Sequence, residues 1–411
     1  MSTSLLYHAW GIRGYNYLAT RYENGTVIFE LEPNSNNLVC TNCQSSNWIY
    51  KGYRVRTLQT LPIGPRKVFL EVKIPRILCH DCQSLNEIDP PFAEPLRTYT
   101  KALEGYAVEL CRITTIKGTS RITGLSWHIV KDIDKRYLQK KYKKVPLKDI
   151  RYLAIDEFAI AKGHRYMTCV INLQSGKILH VGDGKDGNAV IPFLQRLKHS
   201  RHYELEAVAI DMSPAYLSAV RETLVDVPIV FDHFHVIKRM NEHLDDLRRS
   251  IFRKADDSTQ QILKGVRFLI LMGSENLTEL EKVTPGSQDR LNKALAINQP
   301  LNIGYYLKEK LRTLWNLKTK KQGSSLLKEW CQEAYSSDIF QMKKMANTLQ
   351  SHKAQILAYF DHPISTGPLE GINNKIKTLK RQSYGFRDME YFKLRLFDLH
   401  ETQYVLMDHR I

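Results

Sequence analysis

Ser365-Thr366-Gly367-Pro368-Leu369-Glu370-Gly371-Ile372-Asn373-Asn374-Lys375-Ile376-Lys377-Thr378-Leu379-Lys380-Arg381 is the stretch from which the rest of the chain can be read. Ser365 or Thr366 can cap a helix, and Pro368 suits its first turn. Leu369, Ile372, Ile376 and Leu379 recur at helical spacing and give one apolar face. Glu370 and Lys377 lie two turns apart and so point the same way. A lone acid at the head of an otherwise basic helix suits a carboxylate that holds a metal while its neighbours hold a phosphate backbone. A single Glu on a helix is usually just solvated, so the reading needs companions.

Two upstream segments supply them. Arg151-Tyr152-Leu153-Ala154-Ile155-Asp156-Glu157 and Glu206-Ala207-Val208-Ala209-Ile210-Asp211 are short apolar runs that end in acid. Both read as buried strands. A carboxylate at the end of a buried strand is costly unless paired, protonated or bound to a cation. Two strand-end aspartates followed by a helix-borne glutamate form the pattern of ribonuclease-H-like metal nucleases.

The phrases IDEFAIAKGHRY, AIDMSPAY, VFDHFHV and STGPLEGINNKIKTLKRQSYGFR resemble the DDE transposases of the bacterial ISL-three family of insertion sequences. The likeness extends over nearly the whole chain, including its cysteine pairs. It implies that Asp156, Asp211 and Glu370 match the catalytic triad and that the activity is DNA transposition. Phosphodiester transfer with two divalent cations needs a few carboxylates converging from separate elements. The expected cofactors are therefore two magnesium (or manganese) ions held by these three acids.

Composition agrees with a polyanionic partner. Lys+Arg 60 against Asp+Glu 43 gives a net charge of +17, which favours salt-dependent binding to double-stranded DNA, both element ends and target. No apolar run is long enough for a membrane span, and the first residues lack the layout of a signal peptide. Seven cysteines, four in C-x-x-C pairs, fit a reducing bacterial cytoplasm, with the protein at the nucleoid. Joining two DNA ends calls for a homodimer or higher assembly.

Taken in order, residues 1–37 form an N-terminal β-hairpin region turning at Asn24-Gly25. Residues 38–94 form a zinc-ribbon-like module in which Cys40, Cys43, Cys79 and Cys82, at the ends of a hairpin, hold one structural zinc. His80 stays outside the shell. Residues 95–147 form a helix-turn-helix domain and basic linker, the second helix capped by Ser126. Arg121, His128, Lys131 and Lys135 are expected to face DNA there. The ribonuclease-H-like catalytic domain begins at residues 148–237 with the order β-β-β-α-β-α-β. Asp211 and Glu370 are separated by 159 positions, too many for a loop, so residues 238–347 are expected to form an all-α insertion. Residues 348–411 complete the catalytic domain.

The expected fold class is thus a multidomain α/β protein. Lys377, Lys380, Arg381 and Arg387 are expected on phosphates, and Gly385 at a helix C′ position. Asp232 reads as the cap of a following helix, with His235 packing or touching DNA. Trp315 and Trp330 read as core residues before base-stacking ones. Two alternatives stay open: a catalytically silent DNA-binding regulator derived from such an enzyme, and a metal nuclease with no joining step.

Overall fold

The computed structural model of the chain describes residues 5–35, 38–161, 165–201 and 203–402. Lys162-Gly163-His164, within one of the phrases quoted above, lies outside them, as does the end of the chain beyond Thr402. The chain divides into two compact units, one of residues 1–144 with 375–411 and one of residues 145–374.

In the first unit, β1 (Tyr15–Glu23) and β2 (Thr26–Pro33) form an antiparallel hairpin. Its turn holds Asn24 at φ +48° and Gly25 at φ +76°, the left-handed pair that a two-residue hairpin turn requires. A second, longer hairpin joins β3 (Trp48–Ile63) to β4 (Arg66–Cys79) through a turn at Gly64. The order in the sheet is β1-β2-β4-β3, with β5 (Leu85–Glu87) added to β4. Leu31, Leu58, Val68, Leu70, Val72 and Ile74 pack beneath Trp10 of the helix Leu5–Trp10. Trp48 pairs with Cys79, so the hairpin ends at the cysteines.

Three helices follow, Lys101–Ile113, Ile116–Thr123 and Trp127–Lys141. Thr100, Thr115 and Ser126 cap them, each side chain accepting a first-turn amide, which satisfies donors that a helix cannot satisfy itself. Gly124, left-handed at φ +73°, ends the middle helix.

The C-terminal helix Met389–Phe397 packs on the third of these. Arg395 pairs with Asp134 at 3.2 Å, their side chains only 4% and 3% exposed. The Tyr391 hydroxyl donates to the same carboxylate at 2.6 Å, and Arg395 also reaches the Cys111 carbonyl at 3.3 Å. Lys141 and Tyr142 both donate to Asp398, at 2.8 and 2.7 Å. Residues from Lys375 onward are therefore compact with the helix-turn-helix region, although the sequence reading groups them with the catalytic segment.

The second unit is built on β6 (Ile150–Ala161), β7 (Arg165–Asn172), β8 (Ile178–Asp183), β9 (Tyr203–Ile210) and β10 (Ile229–Phe231). Their order is β10-β9-β6-β7-β8. β6, β7 and β8 run antiparallel, while β9 and β10 lie parallel to β6 on its other side. The helices Ile191–Lys198 and Pro214–Thr223 make the connections, so the expected β-β-β-α-β-α-β order is observed. Leu153, Ile155, Val208 and Ile210 enter the main core from one face. The other face presents Ala207 and Val230, covered by Ala358.

Helices then run from His233–Lys254 to the short turn Ala358–Phe360. They share one continuous core with the sheet, reaching Leu307, Leu327 and Met345. Trp330 is a core residue, 0% exposed, and its indole donates to the Leu307 carbonyl at 2.7 Å. The helix Gly367–Gln382 carries the boundary between the two units.

Removing one partner of a buried ion pair strands the other. Arg395→Leu should destabilise the first unit by about 3–5 kcal/mol. Combining it with Asp134→Leu should recover much of that loss, as read from urea denaturation midpoints.

Candidate functional site

The sheet register builds the candidate site. Ile155 of β6 pairs with Ile210 of β9, which pairs with Phe231 of β10. The next residue on each strand is an aspartate: Asp156, Asp211 and Asp232. Side chains alternate between the faces of a strand. Ile155, Ile210 and Phe231 point into the main core, so all three aspartates take the opposite face. The Asp232 amide still bonds the Ile210 carbonyl at 3.0 Å, which continues the ladder one step past β10.

Each acid is held in place. Asp156 accepts from the Glu157 amide at 2.9 Å and from the Asn373 side-chain amide at 3.1 Å. Asp211 accepts from the Ser213 amide at 3.0 Å, a turn that leads into the helix beginning at Pro214. Asp232 occupies the N-cap position of the helix His233–Lys254 but makes no side-chain cap bond. It instead holds His235 Nδ1 at 3.0 Å and bonds the Thr366 side chain. The expected capping role is thus taken by position only.

The electrostatics follow from burial and crowding. Burial first, then the Glu157 charge and the nearby Asp211, push the Asp156 carboxyl up to about 6. Burial and Glu157 raise Asp211 as well, against the pull of His235 and Lys238. Burial disfavours a charged His235, but the bond and charge of Asp232, with the charges of Asp156 and Asp211, outweigh it and raise the imidazole. Asp232 itself is lowered, because its bonds to His235 and Thr366 overcome its burial. The site is a knot of acids whose charge is offset by His235, His233 and Lys238.

Glu370 stands exposed in the first turn of the helix Gly367–Gln382. Asn373, three residues on, shares its helix face and donates to Asp156. Thr366, just before that helix, bonds Asp232. The helix start is therefore anchored to both ends of the aspartate rung. The three expected catalytic acids nevertheless do not draw together as tightly as metal ligands. Among the described residues only Cys40, Cys43, Cys79 and Cys82 gather three or more ligand atoms within 4.8 Å of one another.

In that cysteine group, Sγ of Cys40 and Cys82 lie 3.5 Å apart, as do those of Cys43 and Cys79. Tetrahedral zinc–thiolate geometry spaces sulfurs by about 3.8 Å, so the cluster fits one structural zinc. The Cys43 backbone amide, bonded to the Cys40 sulfur, does most to lower that thiol to about 6. His80 is outside the group.

The expected DNA-facing residues fall into two sets. Arg121, His128, Lys377, Arg381 and Arg387 are exposed, and Lys380 is half-buried. Lys131 and Lys135 are instead drawn onto Asp388, at 2.9 and 3.1 Å. Both remain half-exposed, with their charge shared with that carboxylate. The residues that sequence reasoning underweighted are Asp232 and His235. Their signal was present: Ala-Ile-Asp (154–156), Ala-Ile-Asp (209–211) and Val-Phe-Asp (230–232) end three strands alike.

The raised Asp156 carboxyl has a consequence for stability. Its folded-state value of about 6 exceeds the ordinary value of 3.8. The fold therefore prefers the protonated acid, and stability falls as pH rises from about 4 to about 6. Asp156→Asn should stabilise the cation-free protein at pH 7 by up to about 2 kcal/mol. The gain should vanish at pH 4, as thermal melts at the two pH values would read. For the cysteines, Cys43→Ser should lose the one zinc per chain measured by elemental analysis and lower the melting temperature.

Three family models match the chain in succession. A zinc-finger of transposases IS204/IS1001/IS1096/IS1165 covers residues 37–82, a helix-turn-helix domain of transposase family ISL3 covers residues 88–138, and a transposase domain of that family covers residues 153–396. The transposase of insertion sequence element IS1001 from Bordetella parapertussis is 30% identical over 90% of this chain and 91% of its own length. The transposase of element IS1557 from Mycobacterium tuberculosis is 25% identical over 89% of this chain and 86% of its own. With a zinc ribbon, a helix-turn-helix and a transposase domain in one order along it, the chain belongs to the ISL3 family of transposases.

Proposed function

We propose that this transposase binds the terminal inverted repeats of an insertion sequence and cleaves and rejoins DNA through Asp156, Asp211 and Glu370. The observation that carries the reading is the aspartate rung, with Asp156 tied to Asn373 on the face of Glu370's helix. We assign the second unit to the ribonuclease-H-like class; the antiparallel β6-β7-β8 order, with β9 and β10 parallel to β6, supports that assignment.

The donor set suits a hard divalent cation. It consists of carboxylate oxygens, and beside them the Asn373 side-chain oxygen is buried without a hydrogen-bond partner. Oxygen ligands of this kind select magnesium or manganese over softer metals. Asp156, Asp211 and Glu370 would hold two such ions. When bound, they supply activation of an oxygen nucleophile and neutralise charge at the leaving oxygen.

The chain's own residues do the rest. The Asn373 amide and the Glu157 backbone N–H fix both oxygens of Asp156. Asp232 fixes the His235 ring through Nδ1, which leaves Nε2 to carry or accept a proton beside the acids. His235 is thus a positioning and charge-balancing residue. Glu370, exposed at the head of its helix, would have to approach the aspartates to share a cation with them.

Arg121 and His128 of the helix-turn-helix read the repeat, while Lys377, Lys380, Arg381 and Arg387 position the backbone. Two ends handled in one reaction call for a homodimer or larger assembly on DNA at the bacterial nucleoid. No helix among the described residues is long and apolar enough to cross a membrane.

The test is cleavage of labelled DNA carrying the element's ends, with magnesium or manganese, by the wild type and by Asp211→Asn. Nicking at the repeat boundary should require the cation and fall about a hundredfold or more in the variant, with DNA binding retained. Binding without cleavage in either metal would favour a silent regulator. Equal cutting by both proteins would place the chemistry on other acids, and cutting without strand transfer would leave a plain nuclease.

A further inference from the structure

A cleft of about 610 Å³ lies within the first unit, between the helix-turn-helix and the loop that joins the helices Gly367–Gln382 and Met389–Phe397. Lys117, Trp127, Lys131, Tyr384, Arg387 and Tyr391 line it. None of these belongs to the acid site. Its volume is on the scale of ligand-binding clefts, about 300–1,000 Å³.

Two aromatic rings stand open at this cleft on separate elements. Trp127, the first residue of its helix, is 45% exposed, and Tyr384 is 99% exposed. The backbone of Tyr384 is unusual. The Gly385 amide bonds the Lys380 carbonyl at 2.9 Å and the Tyr384 amide bonds that of Arg381 at 3.1 Å, which is a Schellman ending. In that motif the left-handed C′ residue is usually glycine. Here it is Tyr384, at φ +52°, and Gly385 follows at φ +93°. The sequence reading put the glycine at C′; the chain spends the strained position on an exposed tyrosine that packs on nothing. Backbone strain of this kind concentrates at functional sites.

The charge at the cleft is that of an anion site. The one acid on its wall, Asp388, is taken up by Lys131 and Lys135. Lys131 also lies over the rings of Trp127 and Tyr391, at 5.8 and 5.6 Å. Lys117 and Arg387 are exposed at the rim. Flat aromatic faces flanked by cations match a nucleobase and its phosphates. A base within a duplex has its faces covered by its neighbours, so only an unpaired base can stack on such rings.

We propose that this cleft receives an unpaired nucleobase of a DNA strand, stacked on Trp127 and Tyr384, with the flanking phosphates on Lys117 and Arg387. The inference rests on the reading that the chain acts on DNA. It gives the stacking role to Trp127 and Tyr384, and not to Trp330, which is sealed in the core.

The test uses the full-length protein and one duplex prepared with and without a short single-stranded flap, the flap base being 2-aminopurine. The wild type should quench the flap fluorescence and bind the flapped DNA about tenfold more tightly than the plain duplex. Tyr384→Ser, a change at a fully exposed side chain, should lose most of that preference while binding the plain duplex unchanged. Adding Trp127→Ala should remove the rest, and Tyr384→Phe should keep it. Duplex binding by the wild type without flap preference or quenching would overturn the inference alone. So would a Tyr384→Ser protein that keeps the full preference. A wild type that binds neither DNA would overturn the DNA reading and this inference with it.

Discussion

Three aspartates on a single rung of a parallel sheet segment repel one another, and much of the second unit is arranged to tolerate them. Burial and neighbouring negative charge raise the carboxyls of Asp156 and Asp211, while the bond to His235 helps hold Asp232 low. The chain answers with one partly protonated acid, one imidazole held by Asp232, and two amides on Asp156. A single core runs from the sheet into the helices that follow it.

The helix that bears Glu370, far along the chain, is tied to the rung through Asn373. The face that carries the aspartates is paved with small residues, Ala207 among them, and the segment at Ala358 packs directly on it. Thr366 and Asn373 then bond Asp232 and Asp156. The helix that bears Glu370 is thus docked at both ends of the acid row before any ligand arrives.

The first unit distributes its charge differently. Its basic residues are not a uniform coating. Lys131, Lys135 and Lys141 are spent on Asp388, Asp398 and Glu401 to hold the C-terminal helix against the helix-turn-helix. Arg121, His128, Lys117 and Arg387 remain exposed. Formal net charge therefore overstates what DNA meets, and the arrangement of pairs decides which cations are left for it.

Much of this was legible in the sequence. Alternating and apolar runs, caps at Thr100, Thr115 and Ser126, and the Asn24-Gly25 turn are governed by local sterics and hydrogen bonding, so local sequence determined the elements and their order. The C-x-x-C pairs announced their cluster because zinc geometry demands four close sulfurs. What only the tertiary structure decided were relations between distant strands and helices. Asp232 read locally as a helix cap, and only the register of β10 on β9 showed it beside Asp211. Lys131 read as facing a groove or backbone, and only the fold showed Asp388, some 250 residues away, paired with it. Gly385 read as a helix end, and one residue of shift put Tyr384 in the left-handed position instead. Local chemistry fixes what a residue can do, but which partner it meets depends on chain segments that share no sequence neighbourhood.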